Sequence, residues 1–184
     1  MKRVDVLVIG AGSAGLSVAF TAKGFGQSVL MVDKHKPGGE CTWSGCIPSK
    51  ALIQQANEIY TAKKSADFAI DHSKILTKVR SISEKVYVDE SIEVLAQSGI
   101  DFLQGCASFK DKKTIEVDGE LIEAKRIFIC TGSSPLIPNI PGVETVEYLT
   151  NQNFFQQNSF TKDIIILGGG AIGVELAQAM NRLG

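Results

Sequence analysis

At 184 residues, 44% hydrophobic and 21% charged, the chain can bury a core and is too apolar for a disordered or fibrous class. A formal net charge of -1 without any basic cluster excludes an electrostatic footprint for nucleic acid. No apolar stretch is both long and glycine-poor enough for a membrane span, and four cysteines are too few for a disulfide scaffold.

Met1-Lys2-Arg3 ahead of an apolar run imitates a secretory signal, but Asp5 and the spacing of Gly10, Gly12 and Gly15 argue against one. A cytoplasmic protein is expected, with reduced thiols except at one special pair. Val4-Asp5-Val6-Leu7-Val8-Ile9 reads as a parallel strand covered on both faces. Gly10-Ala11-Gly12-Ser13-Ala14-Gly15 follows at once, then a helix over residues 13–25 that Gly24 and Gly26 can end. Ser28-Val29-Leu30-Met31-Val32-Asp33 is a second strand with an acid at its end, which completes a β-α-β unit. Its glycines permit a tight turn, close approach of a pyrophosphate, and helix-on-strand packing. The helix start offers unpaired N–H groups to phosphates, and the Asp33 carboxylate, eighteen residues past Gly15, can accept from ribose hydroxyls.

Pro48 stands near the start of a helix reaching toward Ala62. Residues 71–97 read as one long helix, with Ile75, Val79, Ile82, Val86, Ile92 and Leu95 on one face. Phe102-Leu103 and residues 114–117 read as strands, and Asp118-Gly119 before Leu121-Ile122 is a hairpin signal. Ile127-Phe128-Ile129-Cys130 is another apolar strand. Pro138, Pro141 and Gly142 mark a linker, so a domain boundary is expected near residue 145. Ile164-Ile165-Ile166-Leu167 then opens a new strand, Gly168-Gly169-Gly170-Ala171-Ile172-Gly173 a second glycine fingerprint, and residues 174–183 a helix. The second domain is expected to be truncated after that helix.

Cys41 and Cys46 admit three readings: zinc ligands, an ordinary thiol pair, or a redox disulfide. Zinc needs three or four ligands, yet Cys106 and Cys130 stand alone in strand-like segments and His35 and His72 are isolated, so no metal is expected. The spacing of five suits two cysteines around a first helical turn, where the helix dipole favours a thiolate ready for exchange. Cys106 and Cys130 read as small buried apolar residues and the histidines as surface residues. Trp43 reads either as a ring that shields the disulfide or as plain packing. Lys50 lies one turn beyond Cys46, on the same face; a buried cation there needs a counter-charge, whereas a lone lysine is ordinarily solvated.

Taken together, the two fingerprints, Asp33, Gly38-Gly39-Glu40-Cys41, Gly45-Cys46-Ile47-Pro48-Ser49-Lys50, Thr131-Gly132 and Glu175 resemble the class I FAD-dependent pyridine nucleotide-disulfide oxidoreductases. These are the relatives of dihydrolipoamide dehydrogenase, glutathione reductase and mercuric reductase. The resemblance implies an α/β fold. A Rossmann-like FAD-binding domain with a small β-meander would occupy residues 1–145, and a linker with the start of a second, NAD(P)-binding Rossmann-like domain residues 146–184. It implies that Gly10, Gly12, Ser13, Ala14, Gly15, Asp33 and Lys34 hold the ADP half of FAD, with Gly39 and Glu40 nearby. Gly105 to Ala107 would pass the adenine, and Thr131 and Gly132 would close the site. Cys46 would face the flavin, Cys41 would exchange with substrate, and Lys50 would sit by the flavin paired with Glu175. Gly168, Gly170 and Gly173 would bind NADH or NADPH. Hydride would pass from nicotinamide to flavin, then electrons to the Cys41–Cys46 disulfide and on to a disulfide, dithiol or metal-ion acceptor. The complete enzyme would be a homodimer, and activity of these 184 residues alone is not assumed. Thr42-Trp43-Ser44 between the cysteines, Cys130 before Thr131 and Ala171 in the second fingerprint depart from common family patterns and leave the acceptor open.

Overall fold

The computed structural model describes residues 1–184. In chain order the elements are β1 (Lys2–Ile9), α1 (Ser13–Gly24), β2 (Val29–Asp33), α2 (Gly39–Trp43), α3 (Cys46–Lys63), α4 (His72–Tyr87), α5 (Ile92–Gln97), β3 (Ile100–Gln104), β4 (Ala107–Phe109), β5 (Thr114–Val117), β6 (Glu120–Ile129), α6 (Asn151–Phe154) and α7 (Ala171–Leu183). They fall into two compact units, Met1–Cys41 with Val86–Ser134, and Thr42–Lys85 with Pro135–Gly184. No helix is long and apolar enough to cross a membrane.

The first unit is built on one six-stranded sheet in the order β3-β2-β1-β6-β5-β4. β3, β2, β1 and β6 run parallel, and β6, β5 and β4 form an antiparallel meander. The apolar runs of β1 and β2 are buried on both faces, as a parallel sheet requires. Val6, Val8, Val29 and Met31 point to one side, where Leu16 and Ala19 of α1 and Leu95 of α5 cover them. Leu7, Leu30 and Val32 point to the other side and share a cluster with Ile115, Val117, Ile122 and Ala124 of the meander. The hairpin turns at Asp118 (φ 49°) and Gly119 (φ 89°), two consecutive positive φ angles that match strand twist in a type I′ turn.

Asp5 stitches three strands at one end of this sheet. Its Oδ2 accepts from the Ser28 N–H (2.9 Å) and hydroxyl (2.7 Å), and its Oδ1 pairs with Lys125 Nζ at 2.6 Å. The Lys125 ammonium first, and the Ser28 N–H and hydroxyl next, hold its carboxyl well below the usual carboxylate range. A depressed folded-state value means the carboxylate adds stability above its unfolded value, and that contribution fades as pH falls below about 4. Asp5→Asn is therefore expected to lower the urea midpoint at pH 7 but to narrow its gap from the unaltered chain as the pH is taken toward 3. A gap that widens on acidification would contradict this.

Residues 71–97 do not form one helix. α4 ends at Tyr87, a 3₁₀ turn spans Val88–Glu90, and α5 begins afresh behind Ser91, whose hydroxyl accepts from the Val94 N–H. Ser91 is extended (φ −68°, ψ 161°), so its side chain caps a new helix instead of continuing the old one. The short β4 and α6 add elements that periodicity did not single out.

The second unit is helical. α3 buries Pro48, Ala51, Leu52, Gln55 and Ala56, a stripe at i, i+3, i+4, i+7 and i+8. Ala51, Leu52 and Ala56 cluster with Ile75 and Val79 of α4, Phe154 and Phe155 at α6, and Ala179 and Leu183 of α7. Arg80 Nη1 donates to the carbonyls of Phe155 (3.2 Å) and Gln157 (2.8 Å), which ties the end of α6 to α4. Residues 164–167, expected as a strand, pair with no strand and lie exposed, Ile165 at 89% and Leu167 at 68%. The run is apolar enough for a buried strand, but a strand exists only through partners, and the sheet of this chain is confined to the first unit.

Candidate functional site

In the first unit the site starts where β1 ends. Gly10 N–H donates to Val32 O and Cys130 N–H to Ile9 O, both at 2.7 Å, so the fingerprint loop leaves the sheet flanked by the ends of β2 and β6. A Cβ on Gly15 would stand 1.9 Å from the Gly10 carbonyl oxygen, and one on Gly10 2.1 Å from the Cys130 carbonyl oxygen. Only glycine fits at these two places. At Gly12 a Cβ would meet nothing closer than 3.5 Å, so packing does not demand that glycine. Gly12 caps α1 without a side-chain hydrogen bond, no acid lies in the first turn, and Ser13 and Ala14 are exposed. The first-turn N–H groups therefore remain available to an anion of the pyrophosphate kind.

The other predicted residues of this unit gather round that loop. Asp33 is half-buried. Its Oδ2 accepts from the Ala11 N–H at 2.7 Å and its Oδ1 from the His35 N–H at 2.8 Å, which holds the carboxylate against the fingerprint. The Gly105 N–H donates to Asp33 O (2.8 Å) and Gln104 Nε2 to Lys34 O (3.2 Å), so the 105–107 segment is tied to the same strand end. Thr131 and Gly132 are exposed just past Cys130. Gly38 N–H donates to Ala11 O (2.9 Å), Gly12 and Gly38 form a parallel bridge, and a Cβ on Gly39 would stand 2.5 Å from the Gly12 Cα. This contact between two glycine loops, which motif spacing does not reveal, sets the start of α2, with Glu40 and Cys41, directly against the fingerprint.

Cys41 and Cys46 do not share a first helical turn as expected. Cys41 lies half-buried in the short α2, whereas exposed Cys46 is the first residue of α3 behind Gly45. Gly45 interrupts the helix at φ −123°, ψ −113°. Thr42 and Ser44 are buried and Trp43 half-buried, so the segment joining the cysteines is packed. Like α1, α3 has a glycine N-cap without a side-chain bond and no acid in its first turn. Its first-turn N–H groups face no acid of their own helix.

In the second unit Lys50 Nζ meets Glu175 Oε1 at 2.6 Å, the partner that the resemblance names. Lys50 is not buried: its side chain is 62% exposed and that of Glu175 39%, so the pair adds only about 0–1 kcal/mol of stability. The second fingerprint repeats the first. Gly168 has φ +109° against +108° at Gly10, and a Cβ on Gly173 would stand 2.5 Å from Gly168 O. Val174 N–H donates to Gly170 O (3.0 Å) as Leu16 N–H does to Gly12 O (2.9 Å). α7 starts at Ala171, earlier than periodicity suggests, behind uncapped Gly170.

Two further expectations change. Cys106 is exposed, because it falls in the turn between β3 and β4 and not in a strand. Cys130, just beyond β6, is half-buried against the first core cluster. His35 is exposed, but His72 is half-buried, 3.4 Å from Leu183 O and tilted against Phe160 at 5.7 Å. A cavity of about 310 Å³ lies at the far ends of α3 and α7, lined by Tyr60, Lys63, Lys64, Asn181, Arg182 and Gly184, and none of the predicted site residues lines it.

The sheet and the two glycine loops of like geometry define a Rossmann-like α/β protein with a cysteine at a helix start. The chain belongs to the pyridine nucleotide-disulphide oxidoreductase family, whose model matches residues 4–184. It is similar to a mercuric reductase of Staphylococcus aureus, 33% identical over 98% of this chain and 34% of that protein. It is equally similar to a dihydrolipoyl dehydrogenase of Acholeplasma laidlawii, 33% identical over 100% of this chain and 58% of that one. Among solved structures, the copper(II) complex of the HOCl-induced flavoprotein disulfide reductase RclA from Escherichia coli matches with a TM-score of 0.88 and 26% identity, over 100% of this chain and 41% of that one. The chain thus spans about a third to three fifths of these relatives.

Proposed function

We propose that the chain is the N-terminal portion of a FAD-dependent disulfide oxidoreductase in which electrons from NAD(P)H pass through FAD to a Cys41–Cys46 disulfide and on to an acceptor. The observation that carries this reading is one glycine-loop geometry used twice, before α1 and before α7, with Cys46 opening α3. Residues 1–145 would form the FAD-binding domain and residues 146–184 the beginning of the NAD(P)-binding one.

Bound FAD would supply the two-electron relay between nicotinamide and cysteines. The N–H groups of Gly12, Ser13 and Ala14 would hold its pyrophosphate, with Gly10 and Gly15 shaping the turn. Asp33, already oriented by two N–H groups, has lone pairs left for ribose hydroxyls. Lys34 and the segment from Gly105 to Ala107 would border the adenosine end, Gly39 and Glu40 the approach to Cys41, and Thr131 with Gly132 the opposite rim. When the disulfide takes up two electrons, the Cys46 sulfur would keep its charge at the start of α3 and the Cys41 sulfur would take a proton and exchange with the acceptor. Glu175 would orient Lys50 as a fixed cation one turn from Cys46. Gly168, Gly170 and Gly173 would seat NADH or NADPH.

The relatives named above favour a dithiol, disulfide or metal-ion acceptor. The complete protein is proposed to be a cytoplasmic homodimer. A second reading, a module that carries FAD and the cysteine pair without nicotinamide-driven turnover, is favoured by the unpaired, exposed residues 164–167 ahead of the second fingerprint. Anaerobic addition of NADH, then NADPH, to the flavin-loaded chain decides between them. A long-wavelength shoulder or bleaching of the flavin with either nucleotide supports the first reading. A visible spectrum that neither nucleotide changes, followed by a response to dithionite, supports the second.

A further inference from the structure

The helix pair of the second unit holds a contact that the proposed chemistry does not use. Lys50 and Glu175 are 125 positions apart in the chain, and so are Asn57 and Arg182, whose guanidinium Nη1 donates to Asn57 Oδ1. Equal offsets at two rungs mean that α3 and α7 lie side by side, parallel and in register. Cys46 is level with Ala171, and the second rung stands two helical turns, about 10 Å, beyond the first.

The seam between the rungs is apolar: Ala51, Leu52 and Ala56 of α3 cluster with Leu176, Ala179, Met180 and Leu183 of α7. A slide of one turn would carry Glu175 about 5.4 Å away from Lys50. The exposed Lys50–Glu175 pair is too solvated to oppose that slide. The other rung is better anchored. It is part-buried, and the Arg182 guanidinium lies over the Tyr60 ring at 5.4 Å while Lys64 Nζ sits 4.9 Å from the same ring. A planar group held by an amide and by an aromatic face has its orientation fixed.

We propose that the Asn57–Arg182 contact, seated on Tyr60, is the positioning site that sets the axial register of α7 on α3 and so brings Glu175 to Lys50. Its importance for electron transfer rests on the function proposed above, because Cys46 and Gly170 stand at the paired helix starts; its test does not. Carbodiimide activates a carboxylate, a touching amine attacks it, and the reagent leaves as a urea, so the yield of Lys50–Glu175 amide reports the register without any cofactor. Read by peptide mass spectrometry on the 184-residue chain, that yield is expected to fall to about half in Asn57→Ala, because without the net hydrogen bond the in-register and slid arrangements are about equally populated. Alanine is the better helix former, so helicity should hold while the cross-link falls. Asn57→Asp keeps an acceptor for the guanidinium and should retain the yield. An unchanged yield in Asn57→Ala overturns the proposal, as does an equal fall in Asn57→Asp. Failure of the functional reading is seen separately, as a visible flavin spectrum of the unaltered protein that neither NADH nor NADPH changes.

Discussion

Gly12→Ala and Gly15→Ala are expected to fail in different ways. A Cβ at Gly15 would stand 1.9 Å from a backbone carbonyl oxygen, and neither α1 nor the end of β1 can retreat without breaking the buried contacts of Leu16 and Val8. Overpacking against backbone puts the cost at about 3 kcal/mol or more, a large share of the stability of a domain. The protein should then unfold at markedly lower urea concentration and hold no flavin. At Gly12 the nearest atom to a new Cβ is 3.5 Å away and φ is −84°, so the fold should keep its stability to within about 1 kcal/mol. The new methyl would nonetheless stand where the pyrophosphate must approach the first-turn N–H groups, and flavin retention should fall by about tenfold or more. Urea titration and flavin content, measured side by side on both variants, check this. A Gly12→Ala protein that binds flavin as tightly as the unaltered chain would remove the pyrophosphate from α1.

Cys46→Ser is the second large effect. Cys46 is exposed as the first residue of α3, behind an uncapped glycine and with no acid in the first turn, so its sulfur is open to exchange. Serine has nearly the same shape and cannot form the disulfide. In the complete flavin-loaded enzyme, dithiol-linked turnover should drop on the order of a thousandfold or more while flavin content stays unchanged. Steady-state rates with NADH and NADPH, beside the visible spectrum, supply both readings. Reductase activity that survives the substitution would place the chemistry elsewhere.

Much of this architecture is legible in local pattern. β1 and β2 read as continuous apolar runs because a parallel sheet with both faces covered leaves no polar positions, and Asp118-Gly119 reads as a turn because few other pairs tolerate two positive φ angles. The fingerprint glycines are legible for the reason that makes them necessary, contact of backbone with backbone. The break at Ser91 shows in the pattern only as the six-residue step from Val86 to Ile92, which leaves the helical stripe, and a serine hydroxyl carries no periodicity. Residues 164–167 have a strand's composition, but pairing depends on neighbours that no local pattern contains. The separation of Cys41 and Cys46 onto different helices falls at Ser44 and Gly45, between the end of α2 and the start of α3. The register of α3 on α7 joins residues 125 apart in the chain, a relation that spacing within a motif cannot express.

Anaerobic reductive titration of the flavin-loaded chain with dithionite, followed by its visible spectrum, tests the central claim most directly. If Cys41 and Cys46 form the disulfide next to the flavin, the first two-electron equivalent should leave the blue bands largely in place and raise a long-wavelength thiolate-to-flavin shoulder. A second equivalent should then bleach the flavin. Bleaching within the first equivalent, with no shoulder at any stage, would contradict an electron path from flavin to these cysteines.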